Sequence, residues 1–143
     1  MNTIKNIIAR QILDSRGNPT VECDIIFDCG SFGRGISPSG ASTGKLEAIE
    51  LRDGDENTYN GKSVLRAVSN INKIIKKAVV GNKYESQEDF DNLLIEIDST
   101  ANKNNLGANA ILAASIAYSH ATANSKKQNL FENFGNNFSL PVP

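Results

Sequence analysis

The hydrophobic period of this chain changes once along its length, from two to about 3.6, and that single change limits the folds open to it. Ile4 to Leu13 is rich in β-branched residues, Asp14-Ser15-Arg16-Gly17-Asn18-Pro19 is turn chemistry, and alternation resumes from Thr20 to Cys29 through Val21, Cys23 and Ile25. Gly30 permits a second reversal, and a short third strand, Ser31 to Ser37, completes an antiparallel meander. Gly33 and Gly35 inside that strand point to close approach of another backbone or to a bulge. From Lys62 to Val80 the apolar residues Val64, Val68, Ile71, Ile75 and Ala78 instead follow a helical stripe. Ser86 with Asp89 forms a capping box for a second helix, striped by Phe90, Leu93, Leu94 and Ile97 and ended at Asp98-Ser99-Thr100. A third helix starts near Gly107 and runs to about Asn124; its many alanines permit close packing, which makes it the buried one. The tail from Ser125 is polar, holds a short helical stretch, Leu130 to Phe134, and ends in Leu140-Pro141-Val142-Pro143, which reads as a linker. Strands first and helices afterwards predict an α+β domain, a three-stranded antiparallel meander followed by a bundle of three to four helices. One domain spans 1–143, with 125–143 as its tail and linker.

A net charge of −1, with acids and bases interspersed, gives no source for the phosphate attraction that dominates nucleic-acid binding. The most apolar stretch, Ala108 to Ala123, is interrupted by Asn109, Ser115, Ser119 and His120 and falls short of the ~20 apolar residues of a membrane span. The N-terminus lacks the apolar region of a signal peptide, which predicts a cytosolic protein. Cys23 and Cys29, placed on one strand, would stand ~20 Å apart and remain free thiols. With one histidine and no third cysteine, a zinc site of Cys and His ligands cannot be assembled within the chain.

The most unusual segment is Pro38-Ser39-Gly40-Ala41-Ser42-Thr43-Gly44, between the last strand and the first helical region. Small and hydroxylated residues between glycines offer amides, carbonyls and hydroxyls suited to closing over an anion or a hard cation; a polar surface loop has the same composition. It is not a phosphate-binding P-loop, because three residues instead of four separate Gly40 from Gly44, and Leu46 stands where the Mg²⁺-binding hydroxyl belongs. Asp53-Gly54-Asp55-Glu56-Asn57 starts like a calcium-binding loop but has Thr58 at the glycine position and Val64 at that of the bidentate glutamate, and reads as a solvated turn. His120 reads as a packed or surface side chain, and the lysines around 62–83 as a solvated face.

Asp14 to Glu22, Pro38 to Gly44, Glu47 to Asp55 and Leu106 to Leu112, in that order, resemble signature blocks of the enolase family, and the closing Leu-Pro-Val-Pro resembles the approach to that family's barrel domain. The resemblance covers nearly the whole chain. It implies a part of the glycolytic enzyme that dehydrates 2-phosphoglycerate to phosphoenolpyruvate with Mg²⁺, as a homodimer in the cytoplasm, and it also allows a cell-surface pool. Carried over, Ser42 matches the serine that ligates the second Mg²⁺ through its hydroxyl and carbonyl, within a mobile active-site loop of Ser37, Pro38, Ser39, Gly40, Ala41, Ser42, Thr43 and Gly44. Arg10 and Glu22 match positions that form salt bridges across the family's dimer. The lysine base, the glutamate acid and the carboxylates of the first metal site belong to the family's barrel. No catalytic residue is therefore assigned in this chain, and Glu47 and Glu50 read as structural.

Two departures stand out. Asp98-Ser99-Thr100 replaces the family's usual Asp-Gly-Thr, and Ala113-Ala114 its common Gly-Val; a positive φ at Ser99 would strain the turn by about 1 kcal/mol. Alternatives to the enzyme-part reading are a freestanding binding or surface module that kept the domain without catalysis, and the capping domain of another member of the enolase superfamily.

Overall fold

Period-two alternation builds the sheet. The computed structural model describes residues 2–38 and 48–135. Strands β1 (Ile4–Leu13), β2 (Pro19–Phe27) and β3 (Phe32–Ile36) form an antiparallel meander in the order β1-β2-β3, with Arg10 opposite Glu22 and Asp24 opposite Arg34. The first hairpin turns on Asp14, whose carboxylate accepts from the amides of Arg16 (2.8 Å) and Asn18 (2.9 Å), and on Gly17 at φ +76°. Gly30, at φ +86°, turns the second. Cys29 lies in that turn, exposed and past the end of β2, while Cys23 is buried within the strand; both thiols are free. Burial pushes the Cys23 thiol pKa up, and a hydrogen bond to the Ser31 hydroxyl lowers that of Cys29.

The helices all pack on one face of this sheet. Helix α1 (Leu65–Asn70), a π turn at Ile71–Ile75 and α2 (Lys76–Val79) follow one another without a break. The π turn changes the expected stripe: buried positions run Val64, Ala67, Ile71, Ile75 and Val79, whereas Val68 and Ala78, predicted to face the core, are half-buried. Widening one turn adds a residue to the repeat, so the buried positions step by four on either side of Ile71. The same segment closes the outer edge of β1. The Asn72 carboxamide accepts from the Ala9 amide (2.8 Å) and donates to the Ala9 carbonyl (3.0 Å), the Gln11 side chain accepts from Val64 N (2.8 Å), and Ile4 exchanges bonds with Gly81 and Asn82. Val64 supplies no cap to α1, and Asp53 does so from a distance by accepting from the amides of Leu65 (2.8 Å) and Arg66 (2.9 Å). The solvated turn predicted there thus begins with a structural carboxylate.

Helix α3 (Gln87–Asp98) carries the predicted Ser86–Asp89 capping box. It ends at Ser99 in the left-handed conformation, φ 58° and ψ 12°. The strain expected there is present in the backbone, so Ser99→Gly should raise stability by about 1 kcal/mol, read as a higher urea midpoint at unchanged slope.

Helix α4 (Ala108–Ser125) is buried around much of its circumference, as its alanines predicted, and it lies across β3. Gly33 and Gly35 allow this: a Cβ on Gly35 would stand 2.2 Å from the Ala113 carbonyl oxygen, and one on Gly33 would stand 2.1 Å from the Ala121 nitrogen. Close backbone approach, the first of the two sequence readings, is thus the observed one. Tyr118 of α4 stacks on Phe90 at 4.2 Å and meets Phe27 edge-on at 5.8 Å, tying α3, α4 and β2 into one core. The short helix α5 (Leu130–Phe134) falls where the tail predicted it.

Candidate functional site

Of the predicted loop, Ser37 and Pro38 are among the described residues, and Ser39, Gly40, Ala41, Ser42, Thr43 and Gly44 lie outside them, as does Glu47. What the structure shows is how both flanks of that segment are held. On the upstream side Ser37 is buried; its amide donates to the Val21 carbonyl (2.9 Å) and its carbonyl accepts from the buried Thr20 hydroxyl (2.5 Å). That fastens the end of β3 to β2.

The downstream flank is fastened to the start of α4. The buried Asn109 side chain accepts from Leu51 N (3.1 Å) and donates to Leu51 O (3.1 Å), acting as a one-residue ladder partner. Ile49 donates to the Asn102 carbonyl and accepts from the Ala108 amide. Gly107 sits at φ +94° with Leu51 Cβ 2.6 Å from where its own Cβ would be, so this position needs glycine for both conformation and space. Sequence reading singled out Leu106 to Leu112 without giving those residues a role. Their signal was a glycine and an asparagine at a predicted helix start, where a backbone contact or a cap is the ordinary use.

Glu50, read as structural, accepts from Arg52 (2.6 Å), whose guanidinium also donates to the carbonyls of Pro19 (2.7 Å) and Lys62 (2.5 Å). This again ties the segment after the loop to the meander. Among the described residues no three His, Cys, Asp or Glu side chains gather as a metal site. No helix among them is long and apolar enough to cross a membrane.

Arg10 and Glu22 are brought together by the β1–β2 register on the sheet face opposite the helices. Arg10 donates to Glu22 and, at 2.6 Å, to Asp24; Arg34 donates to Asp24 at 2.7 and 3.0 Å. In the single chain the two predicted residues are therefore each other's partners. Asp24 and Arg34 join them unforeseen, although period two puts Asp24 on the same face as Glu22. The carboxylate side chains are nearly enclosed, 10% exposed for Glu22 and 7% for Asp24, under arginines left 40% and 48% exposed. Burial raises the pKa of Asp24, but hydrogen bonds from Arg34 and then Arg10 outweigh it and hold the carboxyl below its ordinary range. Around the charges stand Ile8, Phe32 and Ile36, each exposed.

The family model described as "Enolase, N-terminal domain" matches residues 4–134.

Proposed function

The chain belongs to the enolase N-terminal domain family, and from that premise we propose that it is the part of a glycolytic enolase that presents the Ser37–Gly44 segment to an active site completed by a barrel domain. The reaction is dehydration of 2-phospho-D-glycerate to phosphoenolpyruvate in the cytoplasm. The observation that supports this reading is the double fastening of the segment's flanks, Ser37 to Thr20 and Val21 and Leu51 to Asn109. Rigid flanks limit where the residues between them can reach, which is what delivery of one ligand to a distant site requires.

In that role the Ser42 hydroxyl and carbonyl hold the second Mg²⁺, and Ser39 does not touch it. When bound, Mg²⁺ supplies charge stabilisation at the substrate carboxylate. The described residues contribute position and exclusion of water, while the general base and acid come from the barrel, reached through the 125–143 tail. Arg10 and Glu22 mark the face on which two complete subunits pair. Exchange of their mutual bonds for bonds across the dimer would cost little, since each carboxylate keeps a guanidinium.

The 143-residue chain alone should show no turnover above a blank, followed as phosphoenolpyruvate absorbance, because one loop cannot replace a base and an acid. In a chain that carries a barrel, Ser42→Ala should lower kcat by roughly 100-fold with a smaller change in KM, and Ser39→Ala should lower it less. Near-normal turnover and unchanged Mg²⁺ dependence in Ser42→Ala would overturn the assignment.

A further inference from the structure

Four charges on the outer face of the sheet are shared unevenly. Glu22 and Asp24 both stand on the central strand β2, with Arg10 opposite Glu22 on β1 and Arg34 opposite Asp24 on β3. Register thus gives each arginine an acid of its own, but Arg10 also reaches across the diagonal to Asp24 at 2.6 Å. Asp24 therefore accepts from two arginines, twice from Arg34 at 2.7 and 3.0 Å and once from Arg10. Arg34 is further held within its own strand, its guanidinium lying over the Phe32 ring at 5.4 Å from the centroid. Resting on the reading that Arg10 and Glu22 pair with a second complete subunit, we propose that Arg34 is a positioning residue for that pairing: by holding Asp24 it leaves Arg10 free to turn from its own sheet to the partner.

Burial is what gives Arg34 that part. The Asp24 side chain is only 7% exposed, and a carboxylate so enclosed is costly to leave without a cation. Were Arg10 its sole counterion, swinging Arg10 toward a partner would strand the Asp24 charge, and that loss would be subtracted from the affinity of the dimer. With Arg34 in place, Asp24 keeps two hydrogen bonds after Arg10 has left. Glu22 is not stranded either, because Arg34 Nε stands 3.6 Å from its carboxylate oxygen while it turns to a cation of the partner. The Phe32 ring keeps the Arg34 guanidinium over β3 through that exchange.

The test is the dimer dissociation constant, measured by sedimentation in a chain that carries a barrel. Arg34→Gln should weaken the dimer roughly tenfold or more, because Asp24 then keeps Arg10 for itself. Adding Asp24→Asn to Arg34→Gln should restore the constant to within about threefold of wild type, since a neutral carboxamide no longer detains Arg10. Loss of a merely structural bond would not be repaired by removing a second one. An Arg34→Gln dimer as tight as wild type, beside an Arg10→Ala dimer that is weakened, overturns the proposal alone. So does a double variant as weak as Arg34→Gln, which would mean that Arg34 itself touches the partner. An Arg10→Ala dimer as tight as wild type would instead overturn the reading of this face, and the role of Arg34 with it. If Arg34→Gln does not fold, the double variant decides: a dimer near wild type supports the proposal and a weak one overturns it.

Discussion

Gly35→Ala should cost the domain at least about 3 kcal/mol. Gly33→Ala should behave alike. The reason is what the new methyl group would meet. On Gly35 it lands 2.2 Å from the Ala113 oxygen and 2.5 Å from the Ala117 nitrogen; on Gly33, 2.1 Å from the Ala121 nitrogen and 2.2 Å from the Ala117 oxygen. These are main-chain atoms of one helix, so no side chain can rotate away, and relief requires α4 to lift off β3. Lifting it also opens the core around Tyr118, which α4 carries against Phe27 and Phe90. Gly17→Ala separates this effect from backbone conformation: φ there is +76° but nothing lies within 4 Å of the added carbon, so its cost should stay near 1 kcal/mol. Denaturant unfolding of the three variants orders them. A Gly35→Ala domain as stable as Gly17→Ala would show that α4 does not rest on β3 as described.

That contact also shows where sequence could and could not be read. Alternation in β1 and β2 was plain because one face of the sheet is covered by helices, and the pattern of Val21, Cys23, Ile25 and Phe27 records that coverage directly. The glycines of β3 and the alanines of α4 each implied a close neighbour, without saying that the neighbour was the other. The first helix lies where its stripe places it, with Val64, Ile71 and Ile75 fully buried, while Val68 and Ala78 pack only half-buried against the core, since a π turn leaves no mark in residue type. Asp53 looked like part of a failed calcium loop because capping from a distance depends on tertiary placement. Arg10 and Glu22 were matched by resemblance; that they bond each other, with Asp24 and Arg34, follows from a strand register that no local pattern prints. Of the candidate loop only Ser37 and Pro38 are described, so Ser39 and Ser42 rest on resemblance alone.

Asp98→Ala should cost about 3 kcal/mol or more, the largest effect expected of a single change outside the β3 glycines. Asp98 is fully buried at the end of α3. One carboxylate oxygen accepts from the Leu106 amide (2.6 Å), and the other accepts from the Thr100 amide (3.1 Å) and the Thr100 hydroxyl. Together they fold the connection 99–107 that delivers Gly107 against Leu51 and starts α4. Alanine would leave those donors without partners, and the downstream flank of the Ser42 segment would loosen with them. Asp98→Asn should lose less, because one carboxamide oxygen still accepts while its NH₂ opposes a donor. The pH dependence follows from the charge. Burial raises the Asp98 pKa, but the bonds from the Thr100 hydroxyl and the Leu106 and Thr100 amides outweigh it, so in the folded chain the carboxyl titrates below its ordinary value. A folded pKa below the unfolded one adds stability that is present above the unfolded value and lost as pH falls through the folded one. The gap in stability between wild type and Asp98→Asn should therefore be full at pH 7 and shrink below about pH 4. Asp24, held low by its arginines, titrates in both proteins and drops out of that difference. Denaturant unfolding of the pair at neutral and acid pH measures it, and a gap that stays constant with pH would mean that the Asp98 charge does not hold the turn.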